Sequence, residues 1–115
     1  MKSKLTIIVA LASIACTGLP LQAQSTQIKN RTSIISTIAA VQCHVNEGII
    51  TEENGNEIIN DIVQDSPHLK TAYLWAINSQ NARAAVEGMA SSLGADCNGD
   101  VTEDVVRNVL LPNLN

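Results

Sequence analysis

The chain is short of aromatic residues: it has no phenylalanine, and Tyr73 and Trp75 stand alone beside two histidines. Stacking platforms for bases or sugars are therefore not available to it. Cations are scarce as well, with seven Lys and Arg against eleven Asp and Glu and a net charge of −4. A balance of that sign argues against nucleic acid and against anionic membrane surfaces as partners. No run of apolar residues reaches the ~20 that a membrane-spanning helix takes. No segment alternates apolar and polar residues between hairpin turns, which argues against strands. Long linkers, low-complexity tracts and repeat arrays are missing too, so the chain carries one small domain at most.

What is present begins with an export signal. Met1-Lys2-Ser3-Lys4 is a cationic start, residues 5–15 (LTIIVALASIA) form a short apolar stretch, and Leu21-Gln22-Ala23 makes a passable cleavage site before Gln24. Residues 1–23 are read as a cleaved signal peptide and 24–115 as a single helical domain of 92 residues, periplasmic or secreted. All eleven acids lie in that domain against five of the cations, which leaves it at −6. Ser13-Ile14-Ala15-Cys16 also resembles a bacterial lipoprotein box, with Ser13 where an aliphatic residue is usual, and the resemblance implies a lipid anchor on Cys16.

Cysteine parity follows from export. Once Cys16 leaves, Cys43 and Cys97 remain as an even pair in an oxidising compartment, and a Cys43–Cys97 disulfide is the simplest outcome. Closing such a loop stabilises by about 4 kcal/mol in the chain-entropy account. A free thiol or an intermolecular bridge is the alternative.

Apolar spacing is helical throughout. Residues 27–47 carry Ile34, Ile38, Val41 and Val45, widened by Ile28, Ile35 and Ala39, and end at Gly48. Thr51 caps a second helix with Glu52 and Glu53 in its first turn; its apolar face is Ile58, Ile59, Ile62 and Val63, and Gly55 weakens it. Ser66-Pro67 starts a third, with Leu69, Ala72, Tyr73 and Ala76 on one face. Leu74, Trp75 and Ile77 spread apolar surface around it, which predicts a central, mostly buried helix. A break at 78–81 precedes a fourth helix over 82–93, striped by Ala82, Ala85, Val86, Met89, Ala90 and Leu93 and ended by Gly94. A fifth runs over 102–111 through Val105, Val106, Val109 and Leu110, and Pro112 ends it. The expected fold is all-α: a bundle of about five short helices stapled by Cys43–Cys97.

Asp96, Asn98 and Asp100 resemble the first, third and fifth ligands of EF-hand and dockerin loops, and the resemblance implies a calcium-responsive module. The pattern then departs: Val101 stands where those loops carry glycine, and Arg107 where they carry the closing acid. The same residues serve as loop formers, with Asn98-Gly99 for the turn, Asp96 and Asn98 for Asx-type bonds and Thr102 as cap. Residues 48–53 and 99–104 share glycine, any residue, aliphatic, threonine, glutamate and acid, each just after a cysteine.

Other chemistry is thin. Cys43 and His44 are helix neighbours and do not face each other. His68 follows Pro67 with no second ligand at metal-site spacing, and Glu52, Glu53, Glu57, Asp61 and Asp65 read as a solvated acidic face. Asn30-Arg31-Thr32 is a glycosylation sequon. Trp75 sits about 120° off its helix's core face, counted at 100° per residue, and is the candidate partner contact. The resulting expectation is a small exported binding protein without catalysis or cofactor. It would recognise an unidentified protein or small molecule by an acidic face or a groove near Trp75. In layout the chain is similar to periplasmic acid-stress chaperones (short, exported, helical, one long-range disulfide), which implies loss of structure as carboxylates protonate.

Overall fold

The computed structural model describes residues 22–115, with side chains from residue 26 onward. The segment read as a signal peptide and Cys16 lie outside the described residues, apart from the backbone of Gln22 and Ala23. Everything described is helix or loop, with no strand among the described residues. The elements are α1 (Gln22–Asn46), α2 (Glu52–Asp65), a 3-10 turn (Pro67–Leu69) running into α3 (Lys70–Asn78), α4 (Gln80–Ser92) and α5 (Glu103–Val105). A π turn (Val106–Leu110) and a 3-10 turn (Leu111–Asn113) extend α5.

The longest element, α1, is the spine against which α2, α3 and α4 pack. Ile34, Ile35, Ala39 and Cys43 of α1 meet Ala72 and Ala76 of α3, Ala82, Ala85, Met89 and Ala90 of α4, and Val106, Leu110 and Leu114. With no phenylalanine to fill space, the core relies on alanines that let helix axes approach closely. No helix among the described residues is long and apolar enough to cross a membrane.

Local signals set the element ends. Gly48 at φ +74° closes α1: its N–H donates to the Val45 carbonyl at 3.0 Å and that of Ile49 to the His44 carbonyl at 2.9 Å. That pair of bonds is the Schellman arrangement, which satisfies carbonyls a helix end leaves open. Thr51 then caps α2 by accepting from the Asn54 N–H at 3.1 Å. The break before α4 is the single residue Ser79, whose hydroxyl accepts from the Ala82 N–H at 3.2 Å, so α4 starts at Gln80.

Four expectations are corrected. First, the described part of α1 reaches back to Gln22, five residues ahead of the reading from apolar spacing, because polar Gln and Ser continue a helix without adding to its stripe. Second, α3 is an edge helix. Leu74 and Ile77 are each 47 % exposed, since only the side bearing Ala72 and Ala76 is covered by α1 and α4. Third, α2 lies loosely: Ile58 is exposed, and Ile59, Ile62 and Val63 are only half-buried. The glycine that weakens α2 is its point of closest approach, as a Cβ at Gly55 would stand 2.9 Å from Val41 Cγ1 and 3.1 Å from Val45 Cγ2. Fourth, Pro112 does not end the last helix. It lies in the terminal 3-10 turn, while Leu111 N–H reaches back five residues to the Val106 carbonyl. Proline lacks an N–H and its ring crowds the carbonyl four residues earlier, so the turn widens ahead of it.

Cys43 and Cys97 form a disulfide with an S–S distance of 2.08 Å and a Cα–Cα distance of 5.8 Å. It ties the last turns of α1 to the loop after α4.

Candidate ligand cleft

The loop between α4 and α5 is built as a joint. Asp96 Oδ1 accepts from the Asn98 N–H at 3.1 Å, an Asx turn that carries the chain through Cys97 at φ +58°. Gly99 N–H donates to the Leu93 carbonyl at 2.9 Å, drawing the loop back onto the end of α4. Val101 is buried, and the Thr102 hydroxyl accepts from the Val105 N–H at 3.3 Å to start α5. Arg107, at the position of a closing ligand, pairs with Glu103 at 2.8 Å. Asp96, Asn98 and Asp100 are all exposed, and among the described residues no three His, Cys, Asp or Glu side chains converge as a metal site.

The remaining reactive side chains are separated. Cys43 is held in the disulfide. His44 Nδ1 lies 2.7 Å from the Ala40 carbonyl, an acceptor only, so that nitrogen carries the hydrogen. Within the sequon Thr32 is buried, at 1 % exposed, while Asn30 stays half-exposed. Asn30 Nδ2 donates to the His68 carbonyl at 3.4 Å.

Trp75 is engaged within the chain. The Arg31 guanidinium lies over its ring at 4.3 Å, and its indole N–H donates to the main-chain oxygen of Asn115 at 3.3 Å. Arg31 Nη1 also donates to the Leu114 carbonyl. Burial pulls the guanidinium's pKa below its ordinary value, yet an arginine remains charged under physiological conditions.

Beside Arg31 a cleft of about 270 Å³ opens between the start of α1 and the turn into α3. Thr26, Gln27, Asn30 and Arg31 line it from one face of α1, one turn apart in pairs. His68, Thr71 and Ala72 line it from the other side. A long, exposed Asn30–His68 hydrogen bond joins the two walls. No carboxylate lines this cleft, although the chain carries eleven acids. A second cleft of about 400 Å³ on the far side of the turn, lined by Asn60, Val63, Gln64, Pro67 and Lys70, offers only an exposed lysine as its cation.

Arg31 thus stacks on Trp75 and shares a cleft lining with His68, and no acid of α2 or of the Asp96 loop lines that cleft. Reading apolar spacing missed Arg31, Thr26 and Thr71. One signal was available: α1 carries Lys29, Arg31 and His44 and not one acid, so Arg31 has no carboxylate a turn away on its own helix.

No protein-family model matches the chain, and no curated protein and no solved structure is similar enough to it to count as a match.

Proposed function

We propose that the chain is a small exported binding protein that holds a ligand without transforming it. The cleft beside Arg31 carries this reading: five polar side chains from α1, the Pro67–Leu69 turn and α3 line one open space next to a partly buried cation. Binding sites are typically concave, largely preformed and marked by a few convergent polar groups. Export is supported by the N-terminal pattern of cationic start and apolar stretch, and by the Cys43–Cys97 disulfide, which persists in oxidising compartments. Catalysis finds no support in the placement of the nucleophile and base types, since Cys43 is bridged and His44 bonds its own helix.

The test is a small-molecule screen against the oxidised protein, read by Trp75 fluorescence. A saturable ligand recovered chemically unchanged supports a binding role, and steady turnover of that ligand sinks it.

A second reading, recognition of a protein partner, is favoured by Leu74 and Ile77, which lie one turn apart on the outer side of α3 and are both exposed. Affinity capture with Leu74→Ser and Ile77→Ser as controls separates the two.

A further inference from the structure

We infer that the cleft between the start of α1 and the Pro67–Leu69 turn is a site for a small oxyanion, a carboxylate or phosphate group on a small molecule, with Arg31 as its principal contact. The inference rests on the binding role proposed above and names the ligand class.

Arg31 is the first argument. Its guanidinium has five N–H donors and no acceptor. One is engaged by the Leu114 carbonyl, and its flat face rests on Trp75. Among the described residues it has no carboxylate partner; the ion pair found there joins Arg107 to Glu103. Arg31 is only partly buried, so its desolvation is modest, and no side-chain carboxylate among the described residues competes for its charge. A guanidinium fork held flat against a ring is also preorganised for the two oxygens of a carboxylate or phosphate.

The lining is the second. Thr26 and Thr71 bring hydroxyls, Gln27 an amide and His68 an imidazole, and every one of these can donate to an anionic oxygen. The absence of a lining carboxylate removes the group that would repel an anion and attract a cation. The cleft also stands at the start of α3, whose nine residues place the positive end of a helix dipole on that side.

The alternatives are disfavoured by the same geometry. A sugar or a base would want an exposed aromatic face, and the face of Trp75 is taken by Arg31. A cationic amine would meet a guanidinium. The cleft's volume of about 270 Å³ sits at the small end for ligand sites, which fits a small molecule rather than a macromolecular segment.

The test titrates the full-length, oxidised protein at low ionic strength. Inorganic phosphate is the probe in one arm and citrate in another, with sodium chloride at matched ionic strength as reference. Trp75 is the single tryptophan, so its fluorescence reports on the stacked Arg31. Amide shifts of Asn30, His68 and Thr71 give an independent readout. The expected result is a saturable change with phosphate or citrate that chloride does not reproduce; which of the two binds tighter separates phosphate from carboxylate ligands. Arg31→Lys should weaken binding roughly tenfold, because it keeps the charge and loses the fork, and Arg31→Gln should abolish it. Should Arg31→Gln fail to fold, Thr71→Val and His68→Gln carry the test, each expected to weaken binding about three- to tenfold. An equal response to chloride, or undiminished binding in the folded variants, overturns the site. A third arm uses glycerol and ethanolamine. Saturation there at the same amides, without saturation by either oxyanion, overturns the ligand class and leaves the binding role standing. No saturation in any arm overturns both.

Discussion

The guanidinium of Arg31 lies 4.3 Å from the centre of the Trp75 ring, and the pair clasps consecutive main-chain oxygens, that of Leu114 through Arg31 and that of Asn115 through the indole N–H. Two residues 44 positions apart thereby hold the segment after α5 against α1 and α3. Leu114 itself is buried, so the clasp secures part of the core.

Loosening that clasp should be measurable. Trp75→Phe keeps a ring face and loses the indole N–H, and it is expected to cost about 0.5–1.5 kcal/mol. Arg31→Gln removes the cation over the ring and should cost about 1–2 kcal/mol. Urea midpoints read both, and unchanged midpoints in the two variants would show that the clasp contributes nothing.

Reduction of the Cys43–Cys97 bridge should be the largest single loss. For a sequence separation of 54 the chain-entropy account gives about 4 kcal/mol. In a domain of this size that corresponds to a fall in Tm of roughly 15–30 °C. The comparison is thermal melting of the oxidised protein with and without a reducing agent.

Gly99→Ala should destabilise more than Asn98→Ala beside it. A Cβ at Gly99 would stand 2.6 Å from the Leu93 carbonyl oxygen, which belongs to backbone and cannot swing aside. The expected cost is about 1–3 kcal/mol, against a few tenths for the exposed Asn98. Equal denaturation midpoints for the two variants would refute the close approach.

The caps at Thr51 and Thr102 share one geometry, with φ/ψ of −79°/159° and −77°/161°, and each accepts an N–H three residues on. Replacement of either by alanine should cost about 1 kcal/mol, while serine should be nearly neutral. If serine costs as much as alanine, the hydroxyl is not what holds these helix starts.

Calcium should leave the protein's stability unchanged. A site occupied at a hundred times its Kd would add about 2.7 kcal/mol, an effect plain in a melt. Here Val101 is in the core and Arg107 is bound to Glu103, so the turn-setting and closing positions of a calcium loop serve other purposes. A rise in Tm between excess chelator and millimolar calcium would contradict this.

Much of the helical layout was legible because its signals are local. The Gly48 closure and the Thr51 and Thr102 caps each depend on residues within a turn or so of one another. The break read over 78–81 narrows in the structure to Ser79, with α4 starting at Gln80. The cleft was not legible in the same way. Asn30 meets His68 across 38 positions, and no periodicity along one helix announces a bond to another. Trp75 stood out as a lone large ring, but its neighbour Arg31 did not, since an arginine beside a sequon on a helix reads as ordinary surface.

The amino-acid order alone determined the helical class, the Gly48, Thr51 and Thr102 element ends and Cys43–Cys97 as the simplest cysteine pairing. Backbone hydrogen bonding, capping and cysteine parity are short-range or covalent constraints, and they act before any two helices meet. Tertiary structure decided which apolar residues of α3 are covered, why Gly55 is useful, and that Arg31 stands beside a cleft with no carboxylate in its walls. Those outcomes depend on how α1 is approached by elements far along the chain. Burial and electrostatic environment are properties of the assembled surface, and a residue's own neighbours in sequence do not carry them.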